Sequence, residues 1–295
     1  MKDIKIGTMV QADVAEFLIP QLIPHGFESF ALFFWHNTDN FNLEEFGKKI
    51  NDIVKKHGCV ISCLSVFGDK TFHETSDGES TRNTWNKLIE SAKYFETDMV
   101  SGFTGRIKDT PVEESIPKFK EVFTPIAKTA QQNNVRISFE NCATGGTWNT
   151  GDCTFGFNPQ AWELMFEAVD FDNVGLQWEP CHQLLQLIDP IPQLRKWLPK
   201  IFNVHGKDAT IAWDIIKEHG ILGGKEFSWH RTPGFGDSNW TDIISILRMG
   251  GYKGTIDIEG FHDPVYSGDL EFTGQVRSLN YLKECRGGEY IDIHI

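Results

Sequence analysis

The sequence is poor in features that would take a chain out of water or into a disulfide scaffold. Six cysteines, Cys59, Cys63, Cys142, Cys153, Cys181 and Cys285, are scattered through 295 residues. None forms a Cys-x-x-Cys pair, and their density is far below that of a stapled secreted domain, so reduced, buried thiols are expected. No apolar run approaches bilayer-spanning length, and the start, Met1-Lys2-Asp3-Ile4-Lys5-Ile6, lacks an apolar signal core. Basic clusters are missing too. Lys and Arg number 28 against 41 Asp and Glu, a formal charge of −13, which opposes tracking of a phosphate backbone. These absences lead us to expect a cytoplasmic protein with no nucleic-acid and no membrane partner. There is also no internal repeat, no Pro/Gly-rich linker that would divide the chain, and no Gly-x-Gly-x-x-Gly opening a first helix to mark a nucleotide crevice.

What is present is an alternation. Short apolar, β-branched or aromatic runs predict strands at Ile4–Val10, Phe30–Trp35, Val60–Val66, Met99–Phe103, Val135–Phe139, Val174–Trp178, Ile201–His205 and Thr255–Ile258. Amphipathic stretches between them predict helices, for example Leu43–His57, where Phe46, Ile50 and Ile53 recur at helical spacing. Others are expected from about Thr81 to Phe95, from Val112 to Asn133, from Pro159 to Val169 with Pro in the first turn, and from Trp240 to Met249 ahead of Gly250-Gly251. The segment from Gly206 to Asn239 reads as long and irregular. Eight strand–helix units give a parallel sheet, and the count of eight favours closure. The expected fold is a (β/α)₈ TIM barrel occupying residues 1–295 as one domain.

The chemistry is expected where polarity switches at the ends of the late strands. Phe139 is followed by Glu140, Trp178 by Glu179, Val204 by His205 and Ile258 by Glu259. In a barrel these strand ends share one mouth, where barrel active sites are built. Three carboxylates converging with an imidazole would repel one another without a cation. The oxygen-rich set with one His suits one divalent metal ion, Mn²⁺ first, with Mg²⁺, Co²⁺ or Zn²⁺ as alternatives. A carboxylate after a single strand is commonly a helix cap; four such positions at consecutive strand ends are harder to dismiss. His182 lies on the loop of Glu179, Lys207 follows His205, and Arg231 sits in a turn-rich stretch, Trp229-His230-Arg231-Thr232-Pro233-Gly234, able to bend over the mouth. Among the strand-end aromatics, Trp35 and Trp178 are the candidates for lining the pocket.

With these residues the chain resembles the xylose isomerase-like TIM barrel superfamily, in particular its sugar phosphate isomerase/epimerase (D-tagatose 3-epimerase-like) group. The matching pieces are Phe139-Glu140-Asn141, Glu179-Pro180-Cys181-His182, Val204-His205-Gly206-Lys207-Asp208, Pro233-Gly234-Phe235-Gly236-Asp237 and Ile258-Glu259-Gly260. The resemblance implies metal ligation by Glu140, Glu179, His205 and Glu259, with Glu140 and Glu259 also moving protons as the catalytic pair. It implies that His182 and a basic residue after the seventh strand, best matched by Arg231, hold substrate hydroxyls, with Lys207 beside them. The family's second ligand is usually Asp in an Asp-x-x-His motif, so Glu179, one methylene longer, departs from the pattern. The implied activity is isomerisation or epimerisation of a small-molecule ketose or keto-sugar through an enediolate, in a homo-dimer or homo-tetramer. A lyase or dehydratase acting on a keto-sugar or glycoside uses the same first step and stays open. An AP endonuclease-type metal hydrolase, for which His36 and His73 could serve as extra ligands, fits the acidic balance and the loop after the seventh strand less well.

Overall fold

The computed structural model describes residues 3–68, 70–288, 291 and 293. Eight parallel strands close into a barrel: β1 (Lys5–Gln11), β2 (Ser29–Phe34), β3 (Val60–Val66), β4 (Met99–Gly102), β5 (Arg136–Glu140), β6 (Val174–Trp178), β7 (Ile201–Gly206) and β10 (Thr255–Ile258). Around the barrel they run in chain order, and β10 returns to pair with β1, placing Ile6 opposite Ile256 and Gly7 opposite Asp257. The fold is therefore the expected (β/α)₈ barrel. By compactness, residues Met9–Trp178 with Lys200–Asn203 form one unit, and Met1–Thr8, Glu179–Pro199 and Val204–Ile295 form another; the chain of β1 and of β7 passes through both.

Side-chain alternation along the strands explains how one sheet carries both a core and a site. In β5, Phe139 packs against Trp85, Phe119 and Phe123, with ring centroids 5.8, 5.2 and 4.7 Å away. Trp85 belongs to helix α3 (Ser76–Ser91), and Phe119 and Phe123 to α4 (Val112–Gln132). All four rings are buried, and each stabilises the fold by about 1.5–3 kcal/mol. Ser138 and Glu140 take the opposite face of the same strand. That face is polar along its neighbours: Ser138 donates to Asn203 at 2.9 Å, and Ser65 and Ser101 share a 2.7 Å hydrogen bond.

The structure departs from the sequence-based reading in three notable places. Helix α3 begins at Ser76, because Thr75 caps it by accepting from the Gly78 N–H. The stretch after β7 is ordered rather than irregular. It holds β8 (Asp208–Ile211) and β9 (Ser228–Arg231), paired antiparallel with Asp208 opposite Arg231 and Ala209 opposite His230, and between them the short helix α8 (Trp213–His219). A further short helix, α6 (Cys181–Leu184), follows β6.

Candidate metal centre

Each element end delivers one polar group. Glu140 closes β5. Glu179 follows β6 immediately, and Pro180 then turns the chain into α6, so that His182 stands three residues on, one helical turn away. Its Nε2 lies 2.7 Å from Glu179 Oε1. His205 is in β7, opposite Asp257 of β10, and its Nδ1 is 3.1 Å from Glu259 Oε2. The end of β10, from which Glu259 projects, is fixed by Thr8, whose hydroxyl donates to the Ile258 carbonyl at 3.0 Å. Ligand atoms of Glu140, Glu179, His205 and Glu259 all fall within 4.8 Å of one another, and all four residues are buried.

The charges here are compensated by named neighbours. Lys207 is buried and its Nζ donates to Glu259 Oε1. Burial opposes ionisation of Glu259, but Lys207 and then His205 outweigh it and hold its carboxyl far below the usual range. For Glu179 burial again opposes charge, and His182 and Lys207 together hold the carboxyl on the low side. The three carboxylates and the imidazole form a hard-oxygen donor set with one nitrogen, and the Lys207 ammonium beside them offsets part of their charge. That donor set fits a divalent cation of the Mg²⁺, Mn²⁺, Co²⁺ or Zn²⁺ type.

Further buried polar groups tie down the segments that follow β7 and β10. Arg231 lies in β9 and its Nε donates to Asp263 Oδ2 at 3.3 Å. The same carboxylate accepts from the Thr232, Val265 and Tyr266 backbone N–H groups at 2.8–2.9 Å. Asp263 thereby ties β9 to the loop after β10; its burial works against charge, but these donors keep it below the usual carboxylate range. Lys207 and Asp208, adjacent in sequence, do not form a surface ion pair. Asp208 is buried and accepts from the Ala209 and Ser238 N–H groups and from Trp240 Nε1, and burial pushes its carboxyl up. It anchors the hairpin to helix α9 (Trp240–Met249).

Trp35 is half-exposed beyond β2 and meets Phe33 edge to face at 5.4 Å. Trp178 is fully buried, on the face of β6 opposite Gln177. His73 pairs with Asp152 at 2.7 Å. Three polar residues near the centre have no sequence-based forecast of a role: His230, His262 and Asp263. The His230 ring lies 5.4 Å from that of His182 and 5.5 Å from that of His262. Burial, with Lys207 and His182 nearby, lowers the His230 pKa to about 4. The turn-rich stretch from Trp229 to Gly234 hinted at His230, and no sequence signal pointed to His262 or Asp263.

The family described as xylose isomerase-like TIM barrel matches residues 22–285. Inosose dehydratase of Clostridium tetani is 24% identical over 189 residues, which cover 60% of this chain; the match spans about 59% of that relative's length. Among solved structures, 3-keto-D-glucoside 4-epimerase from E. coli superposes with a TM-score of 0.71 at 13% identity, over 96% of this chain and all of the other. A protein named IolI, crystallised with a bound zinc atom, gives 0.65 at 18% identity over 96% of each chain. At these identities the structural likeness is one of fold.

Proposed function

Because the chain belongs to the xylose isomerase-like TIM barrel family, we propose that it is a divalent-metal-dependent enzyme that moves a proton beside the carbonyl of a small keto-sugar or ketose. The observation that carries this reading is the buried convergence of Glu140, Glu179, His205 and Glu259, with ligand atoms within 4.8 Å of one another. These four residues would hold the cation. It would supply Lewis acidity at the substrate's carbonyl and neighbouring hydroxyl oxygens and so acidify the adjacent C–H. Glu140 and Glu259 take the proton and return it, as general base and acid. Glu259 is kept ionised at neutral pH by Lys207 and His205, so it offers the form a base requires. Lys207, whose ammonium donates to Glu259, is in this reading a donor for substrate oxygens. His182 and Arg231, oriented by Glu179 and Asp263, are the donors for substrate hydroxyls. Return of the proton to the other face of the same carbon is epimerisation, and return to the adjacent carbon is isomerisation.

A second reading keeps the same first step and ends in loss of water. It is favoured by the relatives that bear the name inosose dehydratase. One experiment separates the two and tests both. The protein is incubated with Mn²⁺ and a panel of ketoses, keto-sugars and keto-cyclitols in D₂O and followed by NMR. Carbon-bound deuterium in a sugar of unchanged composition supports the isomerase or epimerase reading. An unsaturated product one water lighter supports the dehydratase. Neither exchange nor elimination with any member of the panel would count against the chemistry proposed.

A further inference from the structure

A buried polar chain reaches the last barrel strand from the closing helix, α10 (Glu271–Cys285). Thr8 of β1 shares its hydroxyl hydrogen between two acceptors, the Ile258 carbonyl at 3.0 Å and Oε1 of Gln275 at 2.5 Å. Nε2 of Gln275 donates to Oε1 of Glu271, one turn earlier in α10, at 3.1 Å. An ionised carboxylate only accepts, so Glu271 draws the amide nitrogen to itself and leaves Oε1 for Thr8. Thr8 and Gln275 are both buried. The Gln275 side chain also lies against the backbone of Gly260, where a Cβ would meet Nε2 at 2.7 Å, Cγ at 3.1 Å and Cδ at 3.2 Å. Only glycine allows so close an approach. Ile258 and Gly260 flank Glu259, whose own N–H donates to the Gly206 carbonyl at 3.1 Å. An apolar side chain of equal length would fill the same space without the cost of burying an amide, so packing alone does not account for Gln275.

We propose that Gln275 is a positioning residue for Glu259: bonded to Thr8 and seated on Gly260, it sets the backbone on both sides of Glu259 and so the aim of its carboxylate. The inference rests on the function proposed above, in which Glu259 holds the cation and moves the proton. Both tasks require the carboxylate to be held to within about 0.5 Å, by neighbours that are themselves locked. Gln275 acts through the backbone of Glu259 rather than at the reacting atoms. The chain runs in one direction, from the Glu271 carboxylate through the amide and the Thr8 hydroxyl to the Ile258 carbonyl. It therefore ties the end of β10 to the first turn of α10. At the other end of the side chain, the Glu259 carboxylate meets His205 and Lys207, and both contacts depend on where the backbone places it.

The test uses the full-length protein and Gln275→Met, which keeps the length of the side chain and removes its hydrogen bonds. The first measurement is made in chelator, without metal. The urea-midpoint loss caused by Lys207→Met should be about half as large in the Gln275→Met background as in the wild-type background, because Glu259 is no longer held against the ammonium. The second is Mn²⁺ affinity, read from the electron paramagnetic resonance of the free ion, with His205→Ala as the control for the centre itself. Gln275→Met should weaken Mn²⁺ binding by about 10-fold or more, as replacement of a residue that orients a metal ligand does. A role in packing alone would lower the urea midpoint but leave the Lys207→Met loss and the Mn²⁺ affinity as they are, and that result would overturn the proposal. So would either quantity alone remaining unchanged, provided that the wild-type protein binds Mn²⁺ and His205→Ala does not. If the wild-type protein binds no Mn²⁺, the cation reading fails, and the positioning role stands or falls on the urea comparison. Should Gln275→Met fail to fold, Thr8→Val, which is isosteric and removes the hydroxyl that joins Gln275 to Ile258, takes its place with the same expectations.

Discussion

Lys207→Met removes the positive charge from a buried ion pair while keeping most of the side chain's volume. In the wild-type protein, Lys207 faces Glu259, both are buried, and His205 also lies against the carboxylate. At an effective dielectric of about 20, unit charges about 3 Å apart attract by about 5 kcal/mol. Measured losses on breaking buried pairs run to about 3–5 kcal/mol. We therefore expect Lys207→Met to lose about 3–5 kcal/mol at pH 7 in chelator, read from the urea midpoint. The pH dependence gives the sharper signature. In the wild-type protein the folded-state carboxyl of Glu259 titrates below its unfolded value of about 4.3. Its stabilisation is thus complete above that value and is lost as pH falls through the folded one. Without Lys207, burial is opposed by fewer charges and the folded carboxyl moves upward, so the variant's deficit shrinks as pH falls. A divalent cation should replace the missing charge: at about 100 times its Kd it adds about 2.7 kcal/mol. At one fixed cation concentration the gain should be larger in the variant than in the wild-type protein, because the cation binds the uncompensated carboxylate with a lower Kd. A deficit below about 1 kcal/mol that does not change with pH would refute the reasoning.

Glu140→Gln, His205→Ala and Glu259→Gln should each sharply reduce bound Mn²⁺ by elemental analysis with the far-ultraviolet circular dichroism unchanged, and Glu179→Asp should be the mildest change at this centre. Asp263→Asn should cost about 1–3 kcal/mol of stability, since it strips acceptors from the buried Thr232 N–H and from its neighbours. It should also abolish the part of the acid-side loss of stability that comes from a carboxyl held low in the fold, measured by urea unfolding between pH 3 and pH 6 at about one-unit steps. Arg106→Met should expose the Thr147–Trp148 loop to proteolysis, because the buried Arg106 guanidinium holds that loop through the carbonyls of Thr110, Thr147 and Trp148.

The barrel was legible because the strand runs and their polar exits are local signals. Val174–Trp178 and Thr255–Ile258 appear in the structure at the bounds their sequence suggests, and Glu140, Glu179, His205 and Glu259 fall together because parallel strands of a barrel bring their ends to one side. The hairpin was not legible. Ser228-Trp229-His230-Arg231 is short, half-exposed throughout and lacks an apolar alternation, so nothing in it distinguishes a strand from a loop until Asp208 and Asp263 are seen to hold its two sides. The early start of α3 was hidden for a different reason: Ser76 to Glu79 carries no apolar periodicity and depends on the Thr75 cap. The role of Lys207 was half-visible. Its neighbour in sequence is Asp208, but its charge is used by Glu259, 52 residues away, a pairing that only the closed sheet creates. Trp178 shows the limit of reading strand ends without parity: one residue before Glu179, it takes the other face of the strand.

The most direct test of the account is isotope exchange in two metal-replete variants, Glu140→Gln and Glu259→Gln, at saturating Mn²⁺ with metal content checked. Gln keeps the size and one oxygen but cannot take a proton at neutral pH. If the two glutamates serve opposite faces of one substrate, each variant should stop net turnover. The variant that keeps the glutamate facing the starting stereoisomer should still exchange that substrate's proton with D₂O, and the other should exchange only from the product side. Near-normal turnover in both variants, with the metal bound, would contradict the two-glutamate mechanism.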